Sequence, residues 1–467
     1  MVCFNIKEIL ETTNGRLLGK CNSDMDCTTL NGIATDSRTI SGEDIFIALR
    51  GQNFDGHKFI NTAVKKGVKC VIISDFKKIA IFPKNIFFIV VKDTTRAMGE
   101  LAKQYRSRFN IAAVGITGSN GKTTTKALIA CILEKKFPVL ANIGTENNIF
   151  GLSKTLFGLS RTQKVIIAEL GTNHKGEIEV LAEILQPNIA VITNIASAHI
   201  GNFNSKDRIF REKISLLRNL SGDSAVSFLN GDDKYLRKVK QKEVHFYGIK
   251  KSNEIIAKDI EFNLNGSSFK VKDKNSYVLF KTRLLGLHNI YNTLAAIAVA
   301  RFFKIDYTTI KKAIKTFKPP YGRLNIRKIN GVTFFDDTYN ANPDSLASGL
   351  ETVNTVSTKK AAKKILILGD MLELGKFTKK CHEDAARLAK KHGFNYLLTF
   401  GEHSILATKQ LRKNKDSSIF CRHFKKHSEI ANFIHNILKK DDFVFIKGSR
   451  RMKMEEIIKC FTNFSTN

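Results

Sequence analysis

Short uninterrupted apolar runs alternate along this chain with stretches in which apolar residues return every three or four positions. Ile111–Val114 is one such run, and beyond it Leu128, Ile129, Ile132 and Leu133 recur at helical spacing. The first pattern predicts a short strand buried on both faces; the second predicts the inward face of a helix. The alternation continues through "KVIIAEL", "NIAVITNI" and "SAVSFLNGDD" to about Phe317. It predicts a parallel sheet with helices on both sides. "IEFNLNGSSFKVK" is different, because it alternates on either side of Asn265-Gly266 and so predicts an antiparallel hairpin. After Pro319-Pro320 the strand-helix rhythm restarts with "GVTFFDD", "KKILILGD", "NYLLTFGE" and "DFVFIKG". The opening segment mixes short strands and turns, and "TTRAMGELAKQYRSRF" predicts a helix leading into the central unit. The chain is thus expected to be α/β, with three domains at residues 1–90, 91–319 and 320–467.

The first candidate chemistry lies where a strand gives way to a helix. "GITGSNGKTTT" at 115–125 has the spacing G-x-x-G-x-x-G-K-T, with Ile116 where the commoner phosphate loop has its first glycine. Gly118 and Gly121 let the backbone turn and clear side chains from a ligand's path. The freed N–H groups and the helix N-terminus then favour an anion. Lys122 can reach outer phosphates, and the Thr123 hydroxyl suits Mg²⁺. In doubly wound sheets, ligands bind beyond the carboxyl ends of strands. The polar residues expected at those ends are Glu169, Asn194, Asp336, Asp337, Asp370 and Lys447.

Composition changes this picture little. The 467 residues carry 43% hydrophobic and 25% charged side chains, ordinary for a globular protein. No apolar run approaches the ~18 residues that span a bilayer, and "MVCFNIKEILETTNG" lacks a signal-peptide pattern, so a cytoplasmic protein without membrane insertion is expected. The eight cysteines form no C-x-x-C pair and indicate neither a zinc site nor a disulfide framework. The net charge of +33 comes from lysines spread along the chain, in short clusters such as "KVKQK" and "KKAAKK". With 34 Phe and no Trp, this is the composition that A/T-rich codons produce, so no nucleic-acid partner is expected.

Several motifs carry a resemblance. "GITGSNGKTTT", "AELGTNHKGEI", "ITNIASAHIGNF", "GLHNIYNTLAA", "YGRL", "DDTYNANPDS" and "LGDMLELG" occur in this order and resemble the Mur ligase family of ATP-dependent amide-forming enzymes over nearly the whole chain. The resemblance implies a small UDP-substrate-binding N-terminal domain, a central P-loop ATPase domain and a C-terminal Rossmann-like domain. "DDTYNANPDS" with "LGDMLELG" and "KGSRRMKMEE" points within the family to the addition of D-alanyl-D-alanine to UDP-N-acetylmuramoyl-tripeptide, by an enzyme expected to be a monomer. ATP and Mg²⁺ are the implied cofactors. Gly118, Ser119, Asn120, Gly121, Lys122, Thr123 and Thr124 would hold the ATP phosphates, with Asn289 near adenine, Asn292 beside it and Asp337 on the ribose. Arg323 in "YGRL" resembles the arginine that swings onto the phosphates. Thr123, Glu169, His199 and Lys213 would hold metal. A lone histidine near a strand end is more often structural, but "TNIxxxHIxxF" places His199 in the family pattern. Lys213 stands where the family has a carbamylated lysine. Ser37 and Arg38, after Asp36, resemble the uridine-diphosphate anchor, with Asp55, Gly56 and His57 nearby. Asn147, Asn148, Asn340 and Asn342 would line the substrate cleft, and Lys447 would meet the dipeptide or phosphate.

The sequence departs from the family pattern in places. Thr145 and Ser153 replace Asn and Pro in "GTENNIFGLS", Leu170 replaces Met, Lys175 stands where Pro is common, and Ile214-Ser215 replaces the small-acidic pair after the lysine. A sister ligase or a folylpolyglutamate synthase would share the phosphate loop but not "DDTYNANPDS" together with "LGDMLELG". A basic P-loop protein that binds nucleic acid would show clustered Arg and aromatic residues, which this chain lacks.

Overall fold

The computed structural model describes residues 2–464, apart from 19–27, 43, 52–53, 77–82, 84, 223, 274–275, 358–361 and 414–417. Part of the lysine cluster "KKAAKK" therefore lies outside the described residues. Among the described residues the strands form four sheets. Near the N-terminus, Cys3–Asn5 pairs with Thr29–Asn31, and a five-stranded sheet runs Arg16–Leu18, Phe87–Val90, Cys70–Ile73, Ile45–Ile47, Ile33–Ala34. The helix Thr94–Ser107 leads away from it, capped by Asp93 Oδ1, which accepts from Thr95 N at 2.7 Å.

The central sheet has nine described strands. Its parallel part runs Ile255–Asn263, Val244–Gly248, Val226–Asn230, Ile189–Ile192, Ala112–Thr117, Val165–Glu169, Val139–Ala141. Gly266–Asp273 and Ser276–Thr282 extend one edge antiparallel, and Asn263 pairs with Gly266 across the turn read from Asn265-Gly266. The middle strands are buried on both faces, Ile189–Ile192 and Val165–Glu169 along their full length. That burial explains why they read as continuous apolar runs.

The third sheet has six described strands, ordered Asn325–Ile329, Val332–Asp337, Phe443–Lys447, Lys364–Gly369, Tyr396–Phe400, Phe420–Phe424. Only its first pair is antiparallel. The strand ends predicted to carry chemistry are real ends: Glu169, Asp337 and Lys447 close their strands. No helix among the described residues is long and apolar enough to cross a membrane.

Candidate active site

A cavity of about 420 Å³ opens between the central and third sheets. Ser119–Thr124, Glu169, His199, Asn289, Asn292, Arg323, Asp337, Asn340, Asn342 and Lys447 all line it. The phosphate loop leaves the central strand Ala112–Thr117 and enters the helix Lys122–Leu133. Gly118 sits at φ +145°, and a side chain there would put Cβ 1.9 Å from Thr193 Oγ1. Gly121 sits at φ +84°, where Cβ would lie 2.2 Å from Asn292 Oδ1. Both glycines are thus demanded by conformation and by close neighbours.

The neighbouring strand end pins the loop. Ser119 N donates to Asn194 O at 2.9 Å and Asn120 N to Asn194 Oδ1 at 3.0 Å. Ser119 Oγ accepts from Ala196 N at 2.8 Å. Lys122 folds back on its own loop, donating to Gly118 O at 2.8 Å. Burial pulls its pKa below the ordinary lysine value, while the nearby Glu169 opposes that shift. Arg323 Nη2 reaches Thr123 Oγ1 at 3.4 Å, and its guanidinium lies 4.1 Å above the Tyr339 ring.

Glu169 is buried, and Asn147 Nδ2 donates to its Oε1 at 2.8 Å. Its Oε2 is also buried but has no hydrogen-bond partner among the described residues. Asn142 holds the backbone of Glu169 from both sides, with Glu169 N donating to Asn142 Oδ1 at 2.9 Å and Asn142 Nδ2 to Glu169 O at 3.2 Å. Asn148 caps the helix Ile149–Phe157, accepting from Gly151 N at 2.9 Å.

His199 takes a left-handed backbone at φ +58°, and its Nδ1 lies 2.6 Å from Glu373 Oε2 of the third domain. Lys213, in the helix Lys206–Arg218, is only 2% exposed and has no hydrogen-bond or ion-pair partner among the described residues. Burial drives its pKa well below the usual value, Lys122 pushes the same way, and Glu212 and Glu169 oppose.

These residues fit a magnesium ion. An orphaned carboxylate oxygen and a threonine hydroxyl are hard donors of the kind Mg²⁺ takes together with phosphate oxygens. Among the described residues no three His, Cys, Asp or Glu side chains cluster to hold a metal by themselves. A hydroxyl, a modified lysine or a substrate must complete the set.

Three family models match the chain in order. They are the Mur ligase family catalytic domain at 29–106, the Mur ligase middle domain at 116–300, and the Mur ligase glutamate ligase domain at 322–450. The UDP-N-acetylmuramoyl-tripeptide–D-alanyl-D-alanine ligase of Bacillus subtilis (strain 168) is 31% identical over 465 residues, 98% of each chain. This chain belongs to the Mur ligase family. The ligase of the same name from Escherichia coli (strain K12) is 28% identical over the full length of both chains. A crystal structure of MurF from Acinetobacter baumannii superimposes with a TM-score of 0.87 at 27% identity, covering 99% of each chain. The MurF ligase of Thermotoga maritima in complex with ADP gives 0.82 at 25% identity, over 93% of this chain and 97% of that one. The three-domain α/β architecture is that of the family, and the chain is an ATP-dependent ligase.

Within that frame several side chains do work that the sequence did not disclose. Asn289 and Asn292 are buried and bonded to protein. Asn292 Nδ2 donates to Asn289 Oδ1 at 3.0 Å, and Thr125 Oγ1 to Asn292 Oδ1 at 3.2 Å, so Asn292 braces the phosphate loop from behind. The buried Lys447 forms an ion pair with the partly exposed Asp337 and also donates to Asn340 O at 3.0 Å. Asn342 caps the helix Pro343–Val356 and donates to Asn120 Oδ1 at 2.7 Å.

Asp344, Tyr339 and Glu373 sit inside recognised motifs, yet their partners lie in the central domain. Ser197 N donates to Asp344 Oδ2 at 2.7 Å, and Tyr339 Oη meets Thr145 Oγ1 at 2.5 Å. The departure at Thr145 thus becomes a contact between domains. Nothing in the structure explains the buried Ser153. Ser37 and Arg38 do not line the cavity. Arg38 grips Asp36 with contacts of 2.7 to 3.1 Å, and this bonding holds the Asp36 carboxyl down at about 2.

Proposed function

We propose that this chain joins D-alanyl-D-alanine to UDP-N-acetylmuramoyl-tripeptide, forming the pentapeptide precursor of peptidoglycan with release of ADP and phosphate. The observation that carries the reading is full-length likeness to enzymes of that name, 31% identical over 98% of both chains. We read it as a cytoplasmic enzyme because ATP and UDP-linked precursors are cytoplasmic substrates.

A carboxylate is a poor acyl donor because oxide is a poor leaving group. In the proposed reaction the terminal carboxylate of the tripeptide attacks the γ-phosphorus of ATP, and the bond to the β-γ bridging oxygen breaks. ADP leaves and an acyl phosphate forms. The amine of D-alanyl-D-alanine then attacks the acyl carbon. The tetrahedral adduct loses a proton from nitrogen and expels phosphate, leaving an amide.

The residues have roles suited to this charge traffic. Lys122 and the amides of residues 118–124 neutralise the β- and γ-phosphates, Arg323 covers the transferring group from the third domain, and Asp337 takes the ribose. Thr123, Glu169, His199 and Lys213 would hold Mg²⁺, which when bound offsets negative charge on the phosphoryl oxygens. Lys213 serves as a carbamate. Its depressed pKa leaves a neutral amine able to attack carbon dioxide and lose a proton, and its lack of a partner leaves that amine free. Ser37 and Arg38 take the uridine-diphosphate end, while Asn147, Asn148, Asn340 and Asn342 frame the peptide approach.

The deciding experiment is ADP release with UDP-N-acetylmuramoyl-tripeptides whose third residue is diaminopimelate or lysine, with and without D-alanyl-D-alanine. The expected result is release that requires both ATP-borne phosphate and the dipeptide, with a pentapeptide product by mass. Turnover with a single amino acid instead of the dipeptide, or none with either acceptor, overturns the reading.

A further inference from the structure

The loop carrying His199 meets the loop carrying Glu373 through three separate contacts. Glu373 Oε2 lies 2.6 Å from His199 Nδ1. Gly201 N donates to Glu373 O at 3.0 Å. Gly201 also packs so closely that a Cβ would stand 2.6 Å from both Glu373 O and Gly375 N. His199 and Glu373 both adopt left-handed backbone, at φ +58° and +62°. The glycines of "AHIGNF" and "LELG" are therefore explained by one event, the backbone approach of the third domain to the central one.

We propose that Glu373 is a positioning residue for His199, so that docking of the third domain and completion of the metal site are a single step. This rests on the reading of His199 as a metal ligand. A neutral imidazole carries one N–H, and a carboxylate 2.6 Å from Nδ1 draws the proton to that nitrogen, the pair standing here as a close charge contact short of hydrogen-bond alignment. The Nε2 lone pair is then available to a metal, and the ring cannot rotate away from it. Other contacts across the same boundary, such as Asn342 with Asn120 and Asp344 with Ser197, hold loops. Glu373 instead sets a charged side chain directly against His199. Its side chain is 48% exposed, so filling the core does not account for its placement.

The test uses Mn²⁺ as a spectroscopic probe, titrated by electron paramagnetic resonance into the full chain with ADP present. Variants are Glu373→Ala, Glu373→Gln, Gly201→Ala and Glu169→Ala. Circular dichroism checks each fold. Glu373→Ala is expected to weaken Mn²⁺ by roughly tenfold or more, the range seen when a ligand's outer partner is removed. Glu373→Gln keeps an oxygen that can accept from Nδ1–H and is expected to recover most of the affinity. Gly201→Ala keeps the carboxylate but forces the backbones apart, and should behave like Glu373→Ala.

If Glu373→Ala binds Mn²⁺ within twofold of wild type while Glu169→Ala loses it, this inference fails and the metal reading stands. If Glu169→Ala also binds normally, the metal reading itself fails. Equal loss in Glu373→Gln and Glu373→Ala overturns positioning through the ring. Should Glu373→Ala not fold, Gly201→Ala decides, and normal Mn²⁺ affinity in that variant overturns the proposal.

Discussion

Gly121→Ala probes how the phosphate loop is held, and the structure sets the size of its effect. Alanine at φ +84° meets the left-handed penalty of about 1–2 kcal/mol. Its methyl would lie 2.2 Å from Asn292 Oδ1, so the Asn292 side chain must turn away. That breaks the bond from Thr125 Oγ1 at 3.2 Å and the bond to Asn289 Oδ1 at 3.0 Å. Each contributes about 1 kcal/mol net, giving about 3–4 kcal/mol in all. Asn292→Ala alone loses the same two bonds, about 2 kcal/mol. In the double variant those bonds can be lost only once. The total should therefore stay near 3–4 kcal/mol instead of the ~5–6 expected of independent sites, a coupling of about 2 kcal/mol. Hydrogen exchange of the amides at 122–125, read by mass spectrometry, measures local opening without requiring the whole chain to unfold in one step. Losses that add to within about 0.5 kcal/mol would refute the claim that Asn292 braces Gly121.

Lys122→Ala should lower the rate of ADP release at least ~10³-fold, roughly 4 kcal/mol of transition-state stabilisation, with an unchanged circular dichroism spectrum; near-normal ligation would remove the lysine from the phosphate site. Lys213→Ala should lose most turnover yet keep ATP binding by calorimetry, and small carboxylic acids in solution should restore part of the rate. Near-full activity without added acid would exclude the carbamate. His288 lines the cavity, and burial holds its pKa at about 4 against an ordinary 6.5. The unfolded chain therefore binds more protons between those values, stability falls as pH falls through that window, and His288→Gln should shrink the drop in melting temperature between pH 7 and pH 5.

What could be read from sequence was what is set by near neighbours. Strand, glycine loop and helix follow one another within residues 112–133, and each leaves its mark in apolar spacing and turn chemistry. The Asn265-Gly266 turn was legible for the same reason. Strand-end polar residues could be located because the parallel sheet fixes which ends face a ligand. Partner choice was not legible. Asn147 read as a substrate residue, and its bond to Glu169, 22 positions away, was not foreseen. Asn292 read as nucleotide-facing and does line the cavity, but its bond to Thr125, 167 positions distant in the helix after the phosphate loop, was not foreseen. Glu373 lay within a recognised motif, but its partner His199 sits in another sheet's loop. A side chain's partner depends on which loops the fold brings together, and no periodicity encodes that.

Burial gives the lowered pKa values of Lys122, Lys213 and Lys447 a common cause. Lys122, Arg323 and Lys447 face the cavity together with four acids, Glu169, Asp337, Asp344 and Glu351, and Asp337 is paired to Lys447. The lining carries no surplus of cations, so it is the loss of water that disfavours each buried ammonium. The effect is visible on Lys213, whose pKa is depressed first by burial and next by Lys122. One more ammonium there would repel both Lys122 and a divalent cation. Conversion to a carbamate would replace that positive charge with a negative one and would supply oxygen donors toward Glu169. The same depression that disfavours the ammonium provides the neutral amine that carbamylation needs. Burial close to Lys122 would thus create, beside a loop built for phosphates, the condition for acquiring one more acid.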